Sequence, residues 1–99
     1  MGDRVKQIQS FADKDTERLW NRERVRSIDS RIHSVALRKL RQLGYAQTLD
    51  ELRIPPGNRL EALKGDRRGQ FSIRINDQWR ICFRWSAAGP EEVEIVDYH

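Results

Sequence analysis

The hydrophobic period of this chain changes from helical to extended in its second half, and that change limits what it can fold into. Over residues 27–43, apolar side chains recur at Ile28, Ile32, Val35, Ala36, Leu40 and Leu43. Spacings of three, four and seven place them on one face of a helix. Arg31, Arg38 and Arg41 lie off that stripe. From residue 71 onward the period is two. Phe71, Ile73 and Ile75 alternate with Ser72 and Arg74, and Trp79, Ile81, Phe83 and Trp85 alternate with Arg80, Cys82 and Arg84. Val93, Ile95 and Asp97 alternate with Glu94, Val96 and Tyr98. Asn76-Asp77 and the stretch Ala87 to Pro90 read as turns, so this half predicts an antiparallel meander.

Smaller signals fill in the order of elements. Val5 to Phe11 shows partial alternation and predicts a short first strand. Asp13 is suited to cap a helix running to about Asn21 or Arg22, with Asp15 and Glu17 in its first turn and Leu19 and Trp20 buried. Gly44 is placed for a left-handed stop to the long helix. Leu49 and Leu52 predict one more short turn, Pro55-Pro56-Gly57-Asn58 a loop, and Leu60 to Leu63 a leading strand.

Helices followed by strands predict an α+β fold, with N-terminal helices packed on one face of a small, mainly antiparallel β-sheet. A chain of 99 residues buries one thin core, so residues 1–99 read as a single domain. The helix stripe is expected to cover the face carrying Phe71, Ile73, Ile75, Trp79, Ile81, Phe83 and Trp85. Arg74, Arg80 and Arg84 are left on the other face, a surface suited to phosphate. Trp79 and Trp85 are assigned to the core, because base stacking needs them beside the arginines and the alternation puts them opposite.

Charge sharpens that expectation. The net charge is +4, and residues 59–84 carry 7 basic and 3 acidic residues. Residues 85–99 carry 4 acidic residues and no basic one. A dense positive field in the middle of the chain favours polyanions. No apolar run approaches the roughly 20 residues of a membrane span. Met1 to Lys6 lead into no apolar segment, and Lys6 stands where a myristoylation signal needs Ser or Thr. One cysteine, Cys82, excludes an internal disulfide and a Cys-rich metal site, and the reading is of a cytoplasmic protein with no membrane partner.

The sequence has no P-loop, Rossmann glycines, HExxH or nucleophile elbow. Two histidines do not suffice for an ordinary zinc site, so no metal and no cofactor are expected. His33 is read as structural. His99 follows Asp97 and Tyr98 at a strand end, where a phenol and a carboxylate can tune an imidazole. Metal-free RNA cleavage needs a base for the 2′-hydroxyl, cations for the phosphorane and an acid for the leaving 5′-oxygen. Glu61, Lys64, Arg67, Arg68, Arg80, Tyr98 and His99 supply these types.

Three stretches carry a resemblance. They are Pro55-Pro56-Gly57-Asn58-Arg59-Leu60-Glu61-Ala62-Leu63-Lys64-Gly65-Asp66-Arg67-Arg68-Gly69-Gln70, then Phe71 to Phe83 with Asn76-Asp77-Gln78-Trp79-Arg80 at its centre, and the close Val93-Glu94-Ile95-Val96-Asp97-Tyr98-His99. Together they resemble HigB toxins of the RelE/ParE superfamily over residues 55–99; Ser10-Phe11 and Thr16-Glu17-Leu19-Trp20 resemble that family's first strand and helix less specifically. The resemblance implies a RelE-like fold and cleavage of mRNA in the ribosomal A site, leaving a 2′,3′-cyclic phosphate and a 5′-hydroxyl. It implies a HigA-type antitoxin with a helix-turn-helix domain, through which alone operator DNA is met. It makes Lys64 and Arg80 phosphate-stabilising cations and Asp97, Tyr98 and His99 the C-terminal catalytic group. Arg59, Arg67, Arg68, Arg74 and Arg84 are assigned to RNA or ribosome contact, although Arg74 and Arg84 could instead pair with Glu94 across strands. Glu61 is either general base or a salt-bridge partner.

Two other functions share this fold: a non-enzymatic binder acting in antitoxin complex formation and operon autoregulation, and a ParE-like gyrase poison. The intact Asp97-Tyr98-His99 ending with Lys64 and Arg80 argues against the last. Some HigB toxins carry histidine where this chain has Glu61, which implies a slower enzyme here. Glu61→His is therefore expected to raise the cleavage rate on programmed ribosomes, and no gain in rate counts against the slower-enzyme reading.

Overall fold

The computed structural model describes residues 7–98; His99 and the calls on Met1 to Lys6 lie outside the described residues. Two helices, α1 (Lys14–Trp20) and α2 (His33–Tyr45), precede four strands, β1 (Glu61–Ala62), β2 (Phe71–Arg74), β3 (Trp79–Ser86) and β4 (Gly89–Asp97). The strands form one antiparallel sheet in the order β1-β2-β3-β4. This is the α+β arrangement expected.

The core lies between the helices and one sheet face. Ala36, Leu40 and Leu43 of α2 are fully buried, as are Ile73, Ile81, Phe83 and Val93 of the sheet. Trp79 is buried and Trp85 packs at the edge of the same cluster, as the alternation predicted. Removing a buried leucine from such a core costs about 2–5 kcal/mol, so this contact dominates the fold.

Asp13 caps α1 as expected: its carboxylate accepts from the Thr16 N–H at 3.2 Å and from the Thr16 hydroxyl at 2.6 Å. The same hydroxyl accepts from the Ile95 N–H at 3.0 Å, which ties the helix start to β4. Upstream, Phe11 bridges Val93 in parallel, with the Ala12 N–H donating to the Val93 carbonyl at 2.9 Å. The first strand is thus reduced to this bridge in the described part of its range. It sits beside a bulge where Glu92 has φ 53° and the register shifts between Cys82 and Arg84. The extra residue turns Val93 into the core and Glu94 to the opposite face.

Two helix boundaries differ from expectation. The long helix begins at His33 rather than residue 27, after a 3-10 turn over Ser30–Ile32 capped by Asp29, whose Oδ1 accepts from the Arg31 N–H at 2.9 Å. Ile28 is buried from the connector, which mimics a helical spacing. Gly44 does not end α2. The helix continues through Tyr45, and Ala46 ends it with extended backbone.

Beyond α2, Leu49–Arg53 forms the expected short turn and Leu52 is fully buried. The loop that follows is anchored by Asn58, itself fully buried. Its amide donates to the carbonyls of Leu52 (3.0 Å) and Ile54 (3.4 Å) and to Gln42 Oε1 (3.3 Å), and its Oδ1 accepts from the Lys39 ammonium. Burial, then Arg38 and Arg74, push the Lys39 amine below its ordinary value. Asn58 therefore serves a buried cation and fixes the chain just before Arg59 and Glu61. Asn58→Ala is expected to cost about 2 kcal/mol by orphaning these groups. That is a fall of about 10 °C in the thermal midpoint for a domain of this size, and calorimetry checks it.

Candidate active site

The second sheet face carries Arg74, Arg80 and Arg84, as predicted, but it is not bare. Ser72 and Cys82, between the arginines, are fully buried. Two elements cover them. The loop after β1 folds back, closed by the Leu63 N–H donating to the Gln70 carbonyl at 2.8 Å, and lays Arg67 over the sheet. Tyr98 lies over Cys82, with Oη 4.0 Å from Sγ.

Strand register organises this face. Glu61 pairs with Ser72, Ser72 with Cys82, and Cys82 with Glu94, one row across all four strands. The next row sets Arg74 directly opposite Arg80 and Arg80 opposite Val96. Like charges placed opposite one another in a sheet are unfavourable unless something neutralises them.

Arg80 is held hardest. Its side chain is 13% exposed. Nε donates to Ser72 Oγ at 2.8 Å and Nη2 to the Arg59 carbonyl at 2.8 Å, while Glu61 stands 3.5 Å away and is 57% exposed. The Arg59 carbonyl is presented by a left-handed backbone, φ 45°. Arg67 is held by Gln70 Oε1 at 3.0 Å and Glu94 Oε1 at 3.2 Å. Arg67 and Arg80 both act electrostatically on Cys82 and Tyr98. Two guanidinium groups are thus fixed on the sheet face that Tyr98 covers.

Burial pushes the Cys82 thiol up, against the opposing pull of Arg67 and of the Tyr98 hydroxyl. Burial and the neighbouring thiol push the Tyr98 phenol up as well, against Arg67 and Arg80. Tyr98 is therefore a hydrogen-bond donor at neutral pH.

The other predicted residues are spread around this centre. Arg74 pairs with Asp77, and Arg84 pairs with Glu92 at 3.3 Å rather than with Glu94. A side chain at Gly69 (φ 91°) would meet the Arg84 guanidinium at 2.6 Å, so the loop comes down on Arg84 there. Lys64 and Arg68 are exposed on the loop, and Arg59 is exposed at the end of the 3-10 turn Pro56–Asn58. Asp97 and Tyr98 diverge: the Asp97 carboxylate accepts from Gln78 Nε2 at 3.0 Å, whereas Tyr98 turns to the arginine face. His33 Nε2 lies 2.7 Å from the Ile28 carbonyl, a structural contact as expected. Ser72 and Gln70 were not singled out from sequence. The period-two pattern places Ser72 beside Arg80, but nothing local marks Gln70.

Residues 9–99 match the family described as RelE-like toxin of type II toxin-antitoxin system HigB. The chain is 46% identical to Toxin HigB-1 of Vibrio cholerae serotype O1 over 76 residues, 76% of this chain and 80% of that one. The chain belongs to the HigB-like toxin family. An uncharacterized protein of Haemophilus influenzae is 34% identical over 58 residues, 59% of this chain and 57% of that protein. Among solved structures, a YoeB/ParE toxin from Agrobacterium tumefaciens superposes with a TM-score of 0.51 at 22% identity, covering 94% of this chain and 98% of that one. That likeness extends to the fold, which is RelE-like. As a toxin of a type II toxin–antitoxin system, the HigB-like chain has an antitoxin as its partner. No helix among the described residues is long and apolar enough to cross a membrane.

Because Cys82 and Tyr98 hold their protons more tightly when folded, the stability linked to them is whole below the ordinary thiol value of 9.0. It is lost as pH rises through the folded values. The urea midpoint of this HigB-like toxin is expected to fall from pH 9 upward, and Cys82→Ser to flatten that fall. A thiol reagent is expected to modify Cys82 slowly until the protein unfolds.

Proposed function

We propose that this chain is a ribosome-dependent endoribonuclease that cuts mRNA in the ribosomal A site and so arrests translation and growth. The observation that carries the reading is the Arg80 guanidinium, nearly buried, held at 2.8 Å by both Ser72 Oγ and the Arg59 carbonyl, beside Tyr98. A cation fixed before substrate arrives stabilises developing phosphorane charge without reorganising in the reaction.

In the proposed reaction a 2′-oxygen attacks the adjacent phosphorus. The new P–O2′ bond forms as the P–O5′ bond breaks, leaving a 2′,3′-cyclic phosphate and a 5′-hydroxyl. Arg80 and Lys64 neutralise the non-bridging oxygens, Arg80 through its planar fork and Lys64 as a mobile point charge. Tyr98, protonated at neutral pH, donates toward the phosphate or the leaving oxygen. His99, with Asp97 near it in sequence, gives a proton to the leaving 5′-oxygen while the 2′-proton goes to the general base. Glu61 lies within reach of Arg80, where it can accept the 2′-proton or hold the guanidinium until the phosphodiester displaces it.

Arg59, Arg67, Arg68, Arg74 and Arg84 meet the RNA and ribosome. The Arg74 and Arg84 ion pairs do not preclude this, since pairs this exposed contribute little and exchange readily for phosphate. The ribosome positions the mRNA, because the groove has few groups to immobilise a free strand. The antitoxin partner is of the HigA type, a helix-turn-helix protein through which alone operator DNA is met, and the site of action is the cytoplasm.

Induction of the chain in cells, with mapping of transcript 5′ ends, tests the reading. Cuts in phase with codons and growth arrest are expected. Arg80→Ala should abolish both while leaving antitoxin binding and the fold intact, the thermal midpoint falling only by what the lost hydrogen bonds to Ser72 and Arg59 account for. DNA damage without ordered cuts would identify a gyrase poison instead, and healthy growth a pure binder. A folded Arg80→Ala protein that still cuts would remove Arg80 from the chemistry.

A further inference from the structure

The covering loop of the arginine face raises a question the catalytic assignment leaves open. Arg67 sits on a loop between Leu63 and Gln70, yet its guanidinium reaches Glu94, the cross-strand partner of Cys82 at the centre of the site. A loop side chain with several rotatable bonds reaches a fixed place only if something holds its far end. Two acceptors do so here: Gln70 Oε1 at 3.0 Å and Glu94 Oε1 at 3.2 Å, both on Nη1. Gln70 belongs to the same loop and moves with it. Glu94 belongs to β4 and lies in the same row as Cys82, so among the described residues it is the hydrogen-bond acceptor that ties the Arg67 guanidinium to a strand.

The Arg67–Glu94 pair differs in kind from its neighbours on this face. Its two side chains are each 32% exposed, and it spans 27 residues of sequence. The Arg74–Asp77 pair is local and its carboxylate is 98% exposed. Glu61 adds a weak contact to an arginine that Ser72 and Arg59 already hold. Glu94 owes its place to the bulge at Glu92, which turns Val93 into the core and Glu94 toward the loop.

The geometry points to Glu94 as a positioning residue that fixes Arg67 as a further phosphate-facing cation of the site. Arg67 with Arg80 then forms a two-armed clamp about Tyr98. Arg80 is preset by β2 and the Pro56–Asn58 turn, and Arg67 by β4. This rests on the nuclease reading above. Without Glu94 the guanidinium keeps its charge but loses its direction, and a cation misplaced by an ångström loses much of its effect on a transition state.

A double-mutant cycle on programmed ribosomes tests this, using the full-length chain with Glu94→Ala, Arg67→Ala and the pair together, and kcat and KM measured for each. Glu94→Ala is expected to lower kcat about tenfold or more with little change in KM. Glu94→Gln, which keeps an acceptor for Nη1, should recover most of it. In the Arg67→Ala background, Glu94→Ala should add almost no further loss. A merely structural Glu94 would lower the thermal midpoint and leave kcat per folded molecule unchanged, and it would add its effect in full to that of Arg67→Ala. Either result overturns the proposal. Arg80→Ala measured alongside separates the two ideas: if it still cuts, the nuclease reading fails. If it is dead while Glu94→Ala turns over normally, only the positioning role fails. Should Glu94→Ala not fold, the cycle is run with Glu94→Met, which keeps the bulk of the side chain but removes the acceptor for Nη1, and Arg67→Ala, under the same criterion of additivity.

Discussion

A four-stranded sheet has two faces, and the helices among the described residues cover only one. Everything else in the structure follows from how the second face is managed. The covered face is a conventional core, with Leu40 and Leu43 of α2 set against Ile73, Ile81 and Phe83. The uncovered face is polar, carrying arginines with Ser72 and Cys82 between them, both fully buried. A loop carrying Arg67 and the near-terminal Tyr98 close over it, so the site is roofed by polar groups instead of by a helix.

Electrostatics set the character of that roof. Arg74 and Arg80 face each other across β2 and β3, which a purely structural sheet would avoid. The surrounding carboxylates relieve the repulsion unequally. Asp77 and Glu92 are surface partners of small energetic weight, Glu61 touches an arginine already fixed by neutral acceptors, and Glu94 is half-buried and reaches across to the loop. Positive charge is held in place but only partly neutralised, which is the condition for receiving an anion. Beneath it, burial raises the Cys82 thiol, and the Tyr98 phenol above it is raised as well, so the groups around a bound phosphate are donors and cations.

Much of this was legible in the residues. Period two assigned Ile73, Ile81 and Phe83 to the core and Arg74, Arg80 and Arg84 to the other side, because alternation is a property of extended backbone itself. Asp13 as a cap was readable because its carboxylate serves N–H groups only three residues away. The start of α2 was not. Ile28 repeats at helical spacing yet is buried from a connector, and only the Asp29 cap marks where the helix can begin. Gly44 misled for a related reason: a glycine can end a helix, but here α2 runs on through Tyr45. The contacts of Asn58 with Lys39, and of Arg67 with Glu94, span 19 and 27 residues and leave no periodic trace.

The sequence by itself therefore determined which residues share a face, where the positive charge is concentrated and that helices precede strands. These depend on local geometry that a few neighbouring residues decide. Only the tertiary structure decided which guanidinium groups are fixed and which are loosely paired. It also gave Tyr98 and Asp97, which alternation had already set on opposite faces, their partners Cys82 and Gln78. Those outcomes depend on one bulge at Glu92, one loop folded over the sheet and the register of four strands. Each is a balance among distant contacts, summed over the whole chain, that no short stretch of residues contains.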